Sequence, residues 1–143
     1  MTTQFHDRIV GGCHCGNVEY SFEISRRLED IGLRACQCSF CRAHGARTTS
    51  DPDGAIRVAV RDRAMLQLYR FGLKTADFLI CRQCGVFVGA VMQEDGRRFM
   101  TVNANTFQPP PSFDIAGSAN DFGAEDASGR TARRASRWTP VTE

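Results

Sequence analysis

The most regular pattern of hydrophobic and polar positions lies near the N-terminus. Val18, Tyr20, Phe22 and Ile24 alternate there with polar residues. A period of two is typical of a β-strand with one buried face. Shorter patterns of the same kind predict further strands at residues 56–60, 66–69 and 77–80. The hydrophobic pattern therefore indicates a chain built mainly from strands.

A β-hairpin is predicted in the second half of the chain. Residues 86–92 and 97–102 are β-rich, and they are separated by the polar segment Gln93-Glu94-Asp95-Gly96. Residues 26–34, by contrast, are polar and predict a loop. The fold class expected from these segments is a mainly β single domain.

The composition changes after residue 105. Pro109-Pro110-Pro111 breaks regular structure, and the following segment is rich in Gly, Ala, Ser and Asp. We expect residues 1–105 to form the folded domain, with residues 106–143 as an irregular tail that packs on it or is partly mobile. Four arginines precede Trp138 in this tail, namely Arg130, Arg133, Arg134 and Arg137. A solvated basic face with Trp138 docked on the domain is the favoured interpretation, and an anion site is the alternative.

Charge and composition argue against several partners. The chain has 143 residues, with 18 Lys plus Arg against 16 Asp plus Glu and a net charge of +2. This balance lacks the basic excess that is typical of nucleic-acid binding. The N-terminal residues lack the pattern of a signal peptide, and the longest apolar run, residues 86–92, is too short to span a bilayer. We therefore expect a cytoplasmic protein without a nucleic-acid or membrane partner.

Seven cysteines occur in three clusters. An odd number without an export signal favours metal ligation over a disulfide framework. The central cluster, Cys36-Gln37-Cys38-Ser39-Phe40-Cys41, carries three thiols within six residues. Three thiols at this spacing predict one zinc ion with a fourth coordination position left open, which is typical of catalytic zinc.

The other two clusters allow more than one division of the thiols. Cys81-Arg82-Gln83-Cys84-Gly85 has the zinc-knuckle pattern, and glycines flank the pair Cys13 and Cys15. Joining Cys38 and Cys41 to Cys81 and Cys84 would make a structural zinc ribbon. Joining Cys13 and Cys15 to Cys81 and Cys84 would instead close a four-thiolate site and leave the central three as an open one. Counting favours the second division, because it assigns every cysteine.

Three sequence blocks carry a resemblance to a known family. They are Gly12-Cys13-His14-Cys15-Gly16 followed by Val18 and Tyr20, Cys36-Gln37-Cys38-Ser39 with Cys41-Arg42 and Gly45-Ala46, and Phe78 with Cys81 and Cys84-Gly85. From Gly11 to Asn105 the chain resembles the glutathione-dependent formaldehyde-activating enzyme family, which includes centromere protein V. The resemblance implies a zinc-stabilised β-tent of small antiparallel sheets. It also implies two zinc ions per chain, a structural one on Cys13, Cys15, Cys81 and Cys84 and a catalytic one on Cys36, Cys38 and Cys41.

The resemblance further implies carbon–sulfur lyase chemistry, in which glutathione and formaldehyde combine to S-(hydroxymethyl)glutathione. A zinc-bound thiolate would be the nucleophile. Arg42 is a candidate for added positive potential and His44 for proton exchange. The alternatives are a surface charge for Arg42 and a turn residue for His44.

Substrate and function class stay open at this stage. Residues 47–51 are polar where many relatives are aromatic or apolar, so glutathione is one candidate among small thiols, and the aldehyde is formaldehyde or a related one. A zinc-binding interaction module and a zinc-thiolate redox sensor are the alternatives to an enzyme. The sequence leaves the oligomeric state open.

Overall fold

Strands dominate the structure, as the alternating pattern predicts. The computed structural model describes residues 5–111, 118–120 and 122–142, and for residues 118–120 it describes the backbone alone. Within these residues the strands are β1 Asp7–Gly12, β2 Val18–Ile24, β3 Arg34–Cys36, β4 Thr48–Thr49, β5 Ala55–Val60, β6 Leu66–Tyr69, β7 Asp77–Cys81, β8 Phe87–Glu94, β9 Arg97–Asn103, β10 Ser118–Asn120 and β11 Thr139–Pro140. The helices are α1 Leu28–Ile31, α2 Ser39–His44 and α3 Ala127–Arg137.

The strands form two sheets. The smaller sheet has three antiparallel strands in the order β1-β2-β5. The larger sheet has eight strands, with the order β10-β3-β4-β9-β8-β7-β6 and with β11 paired to β9. Its pairings are antiparallel except for the parallel pair β10 and β3. The predicted mainly β fold with antiparallel sheets is confirmed.

Strand β2 shows why the alternating pattern was informative. Val18, Tyr20, Phe22 and Ile24 are buried, whereas Glu19 between them is exposed. The buried side chains enter a core that also contains apolar residues of the larger sheet. The two sheets therefore pack against each other through the face that the period of two predicts.

The predicted hairpin is present as β8 and β9. Glu94 pairs with Arg97, so the loop consists of Asp95 and Gly96 alone. Both loop residues have positive φ, 52° for Asp95 and 75° for Gly96. Two positive φ values match the right-handed twist of the flanking strands.

The larger sheet is buried on both faces. Met100 and Val102 of β9 belong to the core shared with the smaller sheet, while Phe99 belongs to a second core. The second core contains the aromatic rings of Phe78, Phe87 and Trp138. The face of the larger sheet that lies beside helix α2 therefore carries both aromatic rings and cysteines.

The prediction of a loop over residues 26–34 is wrong in part. Helix α1 and the first residue of β3 lie there. Helix α1 has four residues, too few for a hydrophobic period to show. Strand β3 has three, and it is stabilised by pairing with β4 and β10, which lie far from it in sequence.

The C-terminal region adds regular elements to the larger sheet. Asp126 caps α3 by accepting the backbone N–H of Gly129 at 2.7 Å. Trp138 follows the helix and is 6% exposed, as expected for a docked ring. The three consecutive prolines end at Pro111, and residues 112–117 lie outside the described part of the chain. Within the part that the structure describes, no helix is long and apolar enough to cross a membrane.

Candidate functional site

Four cysteine sulfurs lie together at one end of the two-sheet core. Cys13 directly follows β1, Cys81 ends β7, and Cys15 and Cys84 lie in the turns that lead to β2 and β8. The Sγ atoms of Cys13 and Cys15 are 3.7 Å apart, and those of Cys15 and Cys81 are 3.5 Å apart. All four sulfurs lie within 4.8 Å of one another.

The backbone around these sulfurs adopts tight turns. The N–H of Val18 donates to Sγ of Cys13 at 3.2 Å, and the N–H of Cys84 donates to Sγ of Cys81 at 3.4 Å. Gly85 has φ of +79°, which glycine adopts without strain. Burial raises the pKa of Cys84, but backbone hydrogen bonds from Cys15 and Val86 outweigh it and lower the pKa to about 6.

A second group consists of Cys36, Cys38 and Cys41. Cys36 ends β3, Cys38 is the N-cap of α2, and Cys41 lies in the first turn of that helix. Their sulfurs also lie within 4.8 Å of one another. The N–H of Cys41 donates to Sγ of Cys38 at 3.3 Å. Hydrogen bonds within this group hold the pKa of Cys38 well below its usual range and raise that of Cys41.

Both groups have the geometry of metal ligands. All seven cysteines lie in the described part of the chain, and none forms a disulfide. A tetrahedral zinc ion with Zn–S distances of about 2.3 Å would place its sulfurs ~3.8 Å apart. The 3.7 Å between Cys13 and Cys15 fits this spacing. The structure thus groups the seven thiols as four plus three, in the way that counting favours. The zinc ribbon, which would join Cys38 and Cys41 to Cys81 and Cys84, is not formed.

The three-cysteine group opens onto a cavity of about 130 Å³. One wall is aromatic, with the rings of Phe71, Phe78, Phe87 and Trp138. Thr48 and Thr101 add hydroxyl groups. Cys13, Cys15, Cys81 and Cys84 do not line this cavity. The four-cysteine group, in which Cys15 and Cys84 are partly buried, is therefore separate from this cavity, while the three-cysteine group is accessible from it to a small molecule.

Arginines form the remaining wall of the cavity. Arg130, Arg133 and Arg134 of α3 line it together with Arg34 of β3. Side-chain exposure is 18% for Arg130 and 19% for Arg133, and Arg134 is buried. The expectation of a solvated basic face is wrong for these three, since they point into the protein. Arg137 is exposed and lies outside the cavity wall.

Burial lowers the pKa of two of these guanidinium groups. It lowers the pKa of Arg134 to about 10, and the neighbouring charges of Arg130 and Arg133 act in the same direction. The pKa of Arg34 is also lowered to about 10, mainly by burial. Both guanidinium groups remain positively charged at neutral pH. Arg34 donates from Nη2 to Ser50 Oγ at 2.8 Å and to Thr101 Oγ1 at 3.2 Å.

Arg42 and His44 lie on the exposed side of α2. Neither lines the cavity. The His44 ring contacts Phe40, with 4.5 Å between ring centroids. Their predicted roles in electrostatics and proton exchange stay predictions.

The polar run at residues 47–51 is mostly structural. Asp51 is fully buried, and its Oδ2 accepts the backbone N–H and the hydroxyl of Ser25 at 2.6 and 2.7 Å. Thr49 is fully buried as well, whereas Thr48 lines the cavity. This run therefore shapes the cavity through Thr48. Arg34 was missed because no local motif marks it, whereas the α3 arginines were named from the sequence with a solvated face favoured over an anion site.

The fold and the two cysteine groups define a mainly β protein with two sites that are able to hold metal ions. A model of the family described as "Glutathione-dependent formaldehyde-activating enzyme" matches residues 8–122, and the chain belongs to this family. The chain is also similar to a crystal structure titled as a Rhodobacter sphaeroides protein and structural genomics target, with 31% identity and a TM-score of 0.56. That match covers 77% of this chain and 97% of the other.

Proposed function

We propose that this chain is a zinc-dependent carbon–sulfur lyase that joins a low-molecular-weight thiol to formaldehyde or a related aldehyde. The observation that carries the proposal is the contrast between the two cysteine groups. Four thiols lie at one end of the two-sheet core and line no part of the cavity, whereas three open onto it. An accessible three-ligand site is the arrangement of catalytic zinc, and a closed four-ligand site is that of structural zinc.

Two ions are assigned on this basis. Cys13, Cys15, Cys81 and Cys84 would hold the structural zinc, and the second group of three would hold the catalytic one. Zinc held by these three cysteines would keep one coordination position open. There it would supply Lewis acidity and stabilise the thiolate of the substrate at neutral pH. Metal binding requires all three thiols of this group to be deprotonated, so zinc affinity should fall as the pH is lowered.

The reaction forms one carbon–sulfur bond between the thiol and the aldehyde carbon. The carbonyl π bond opens, and the thiol proton ends on the resulting hydroxyl oxygen, so atoms and electrons balance without an oxidant. The aromatic wall of the cavity limits water around the reacting atoms. Thr48 and Thr101 line the same space, and their hydroxyl groups donate to the backbone carbonyls of Arg34 and Thr49, so these two residues shape the cavity.

The test is a panel of thiols and aldehydes assayed with a zinc-loaded preparation. NMR exchange spectroscopy should show exchange between free aldehyde and its S-hydroxyalkyl adduct faster than the spontaneous rate. Glutathione with formaldehyde is one member of the panel, and a different small thiol or a bulkier aldehyde is expected to serve as well or better.

The alternatives make different predictions in the same preparation. A panel with no acceleration at full zinc occupancy would favour an interaction module. Reversible thiol oxidation accompanied by zinc loss would instead indicate a redox sensor. Sustained turnover without zinc loss is the result that the proposed function requires.

A further inference from the structure

Four guanidinium groups line one wall of the cavity, and one carboxylate pairs with them. Glu125 accepts from Nε of Arg133 at 2.8 Å and from Nε of Arg130 at 3.5 Å. Neither Arg34 nor Arg134 forms an ion pair with a carboxylate in the described part of the chain. The wall therefore has more positive charge than its own carboxylate neutralises.

Arg134 shows the imbalance most clearly. Its side chain is buried, with 9% of the residue exposed. Nη1 donates to Thr75 Oγ1 at 2.7 Å, and the guanidinium lies 4.6 Å from the Trp138 ring centroid. Nε is buried and has no hydrogen-bond partner among the described residues. A buried cation with an unsatisfied donor is costly unless an anion completes the site.

The cysteine group does not remove the excess charge. Three thiolates around a divalent ion carry one net negative charge. With Glu125, that would make two negative charges facing four guanidinium groups among the residues that the structure describes. Cys36, Arg34 and Arg134 line the same cavity, so the cysteine group and the basic wall are within electrostatic reach of each other.

We propose that this wall is a carboxylate-binding subsite and that the substrate is a small molecule with a carboxylate at one end and the reacting group at the other. This inference rests on the proposed function, which supplies the reaction. It adds that the arginines recognise the negative charge of the substrate. A guanidinium matches a carboxylate through paired N–H donors. The apolar rings opposite favour a singly charged carboxylate over a doubly charged phosphate, because the second charge is costly to desolvate.

Most of the subsite lies in the part of the chain beyond the family match. The match ends at residue 122, and α3 begins at Ala127. Three of the four guanidinium groups lie on this helix. The preference for a negatively charged substrate is therefore contributed mainly by helix α3, which lies beside the cysteine site.

Three substrate pairs locate the carboxylate on the thiol or on the aldehyde. The first is 3-mercaptopropionate with formaldehyde, the second is the neutral 3-mercaptopropionamide with formaldehyde, and the third is 3-mercaptopropionamide with glyoxylate. Acceleration over the spontaneous rate should be at least about tenfold greater for the first or the third pair than for the neutral pair. The pair that gains shows which reactant carries the carboxylate.

Arg133→Gln and Arg134→Gln should reduce this advantage by about tenfold to a hundredfold, measured within each variant as the ratio of the acid pair to the neutral pair. Arg137→Gln is the matched control, since Arg137 is exposed on the same helix and lies off the wall. Zinc content and circular dichroism check the fold of each variant. If Arg134→Gln does not fold, Arg133→Gln decides, because the Arg133 side chain is 19% exposed.

A binding measurement separates failure of the subsite from failure of the reaction. Butyrate, titrated by NMR into the zinc-loaded chain, should bind with a Kd that rises at least about tenfold in Arg133→Gln and is unchanged in Arg137→Gln. If butyrate binds in this way but no thiol–aldehyde mixture shows accelerated exchange, the carboxylate subsite is supported and the proposed lyase activity is contradicted. Equal acceleration for acid and amide, with no butyrate binding, would overturn the subsite and leave the lyase activity in place.

Discussion

Cys84→Ser is expected to unfold the chain or to leave it without a cooperative thermal transition. Its sulfur belongs to the four-cysteine group, which packs against the core between the two sheets. A structural zinc contributes on the order of 10 kcal/mol to folding, and a domain of this size has a net stability of about 5–15 kcal/mol. Losing that contribution is therefore comparable with losing the fold. Circular dichroism during heating, together with zinc content, measures the effect.

Cys81→Ser should behave in the same way, since Cys81 is fully buried in the same group. Cys38→Ser is the matched comparison, because it removes one sulfur from the open group at a half-buried position. A folded Cys84→Ser chain beside an unfolded Cys38→Ser chain would reverse the assignment of structural and catalytic groups.

Cys38→Ser is expected to stay folded and to lose the acceleration of thiol–aldehyde exchange, a fall of at least about a hundredfold. The serine hydroxyl does not ionise at neutral pH, so the zinc site loses one thiolate ligand. The introduced serine would still be able to accept the backbone N–H of Cys41 at the N-terminus of α2, which is why the fold should survive. Cys36→Ser should lose activity as well. NMR exchange spectroscopy with the best substrate pair provides the measurement.

Gln37→Ala is the control for this experiment. Gln37 lies between two ligands but is exposed, and its side chain donates to the carbonyl of Ala35. Its exchange rate should match that of the unmodified chain. Activity retained in Cys38→Ser would show that the open cysteine group is not where the reaction occurs.

The cysteine sites were predictable because their information is local. Cys36, Cys38 and Cys41 lie within six residues, and a short turn is enough to bring their sulfurs together. The alternating residues of β2 likewise report one buried face without reference to the rest of the chain. The division of the other four thiols needed the family resemblance and the count of cysteines.

The basic wall of the cavity was not predictable from local pattern. Arg34 lies on a three-residue strand, and Arg130, Arg133 and Arg134 lie almost a hundred residues later. Their side chains meet because β3 and α3 both border the same cavity. A helical spacing of arginines is equally compatible with a solvated face, so burial alone distinguishes the two arrangements.

Zinc X-ray absorption spectroscopy, combined with a metal count on the same sample, tests the division of the seven thiols most directly. We expect about two zinc ions per chain, Zn–S distances of about 2.3 Å and an average of about 3.5 sulfurs per ion, with lighter atoms making up the rest. One zinc per chain, or an average of four sulfurs with no lighter ligand, would contradict an open three-thiolate site beside a closed four-thiolate site.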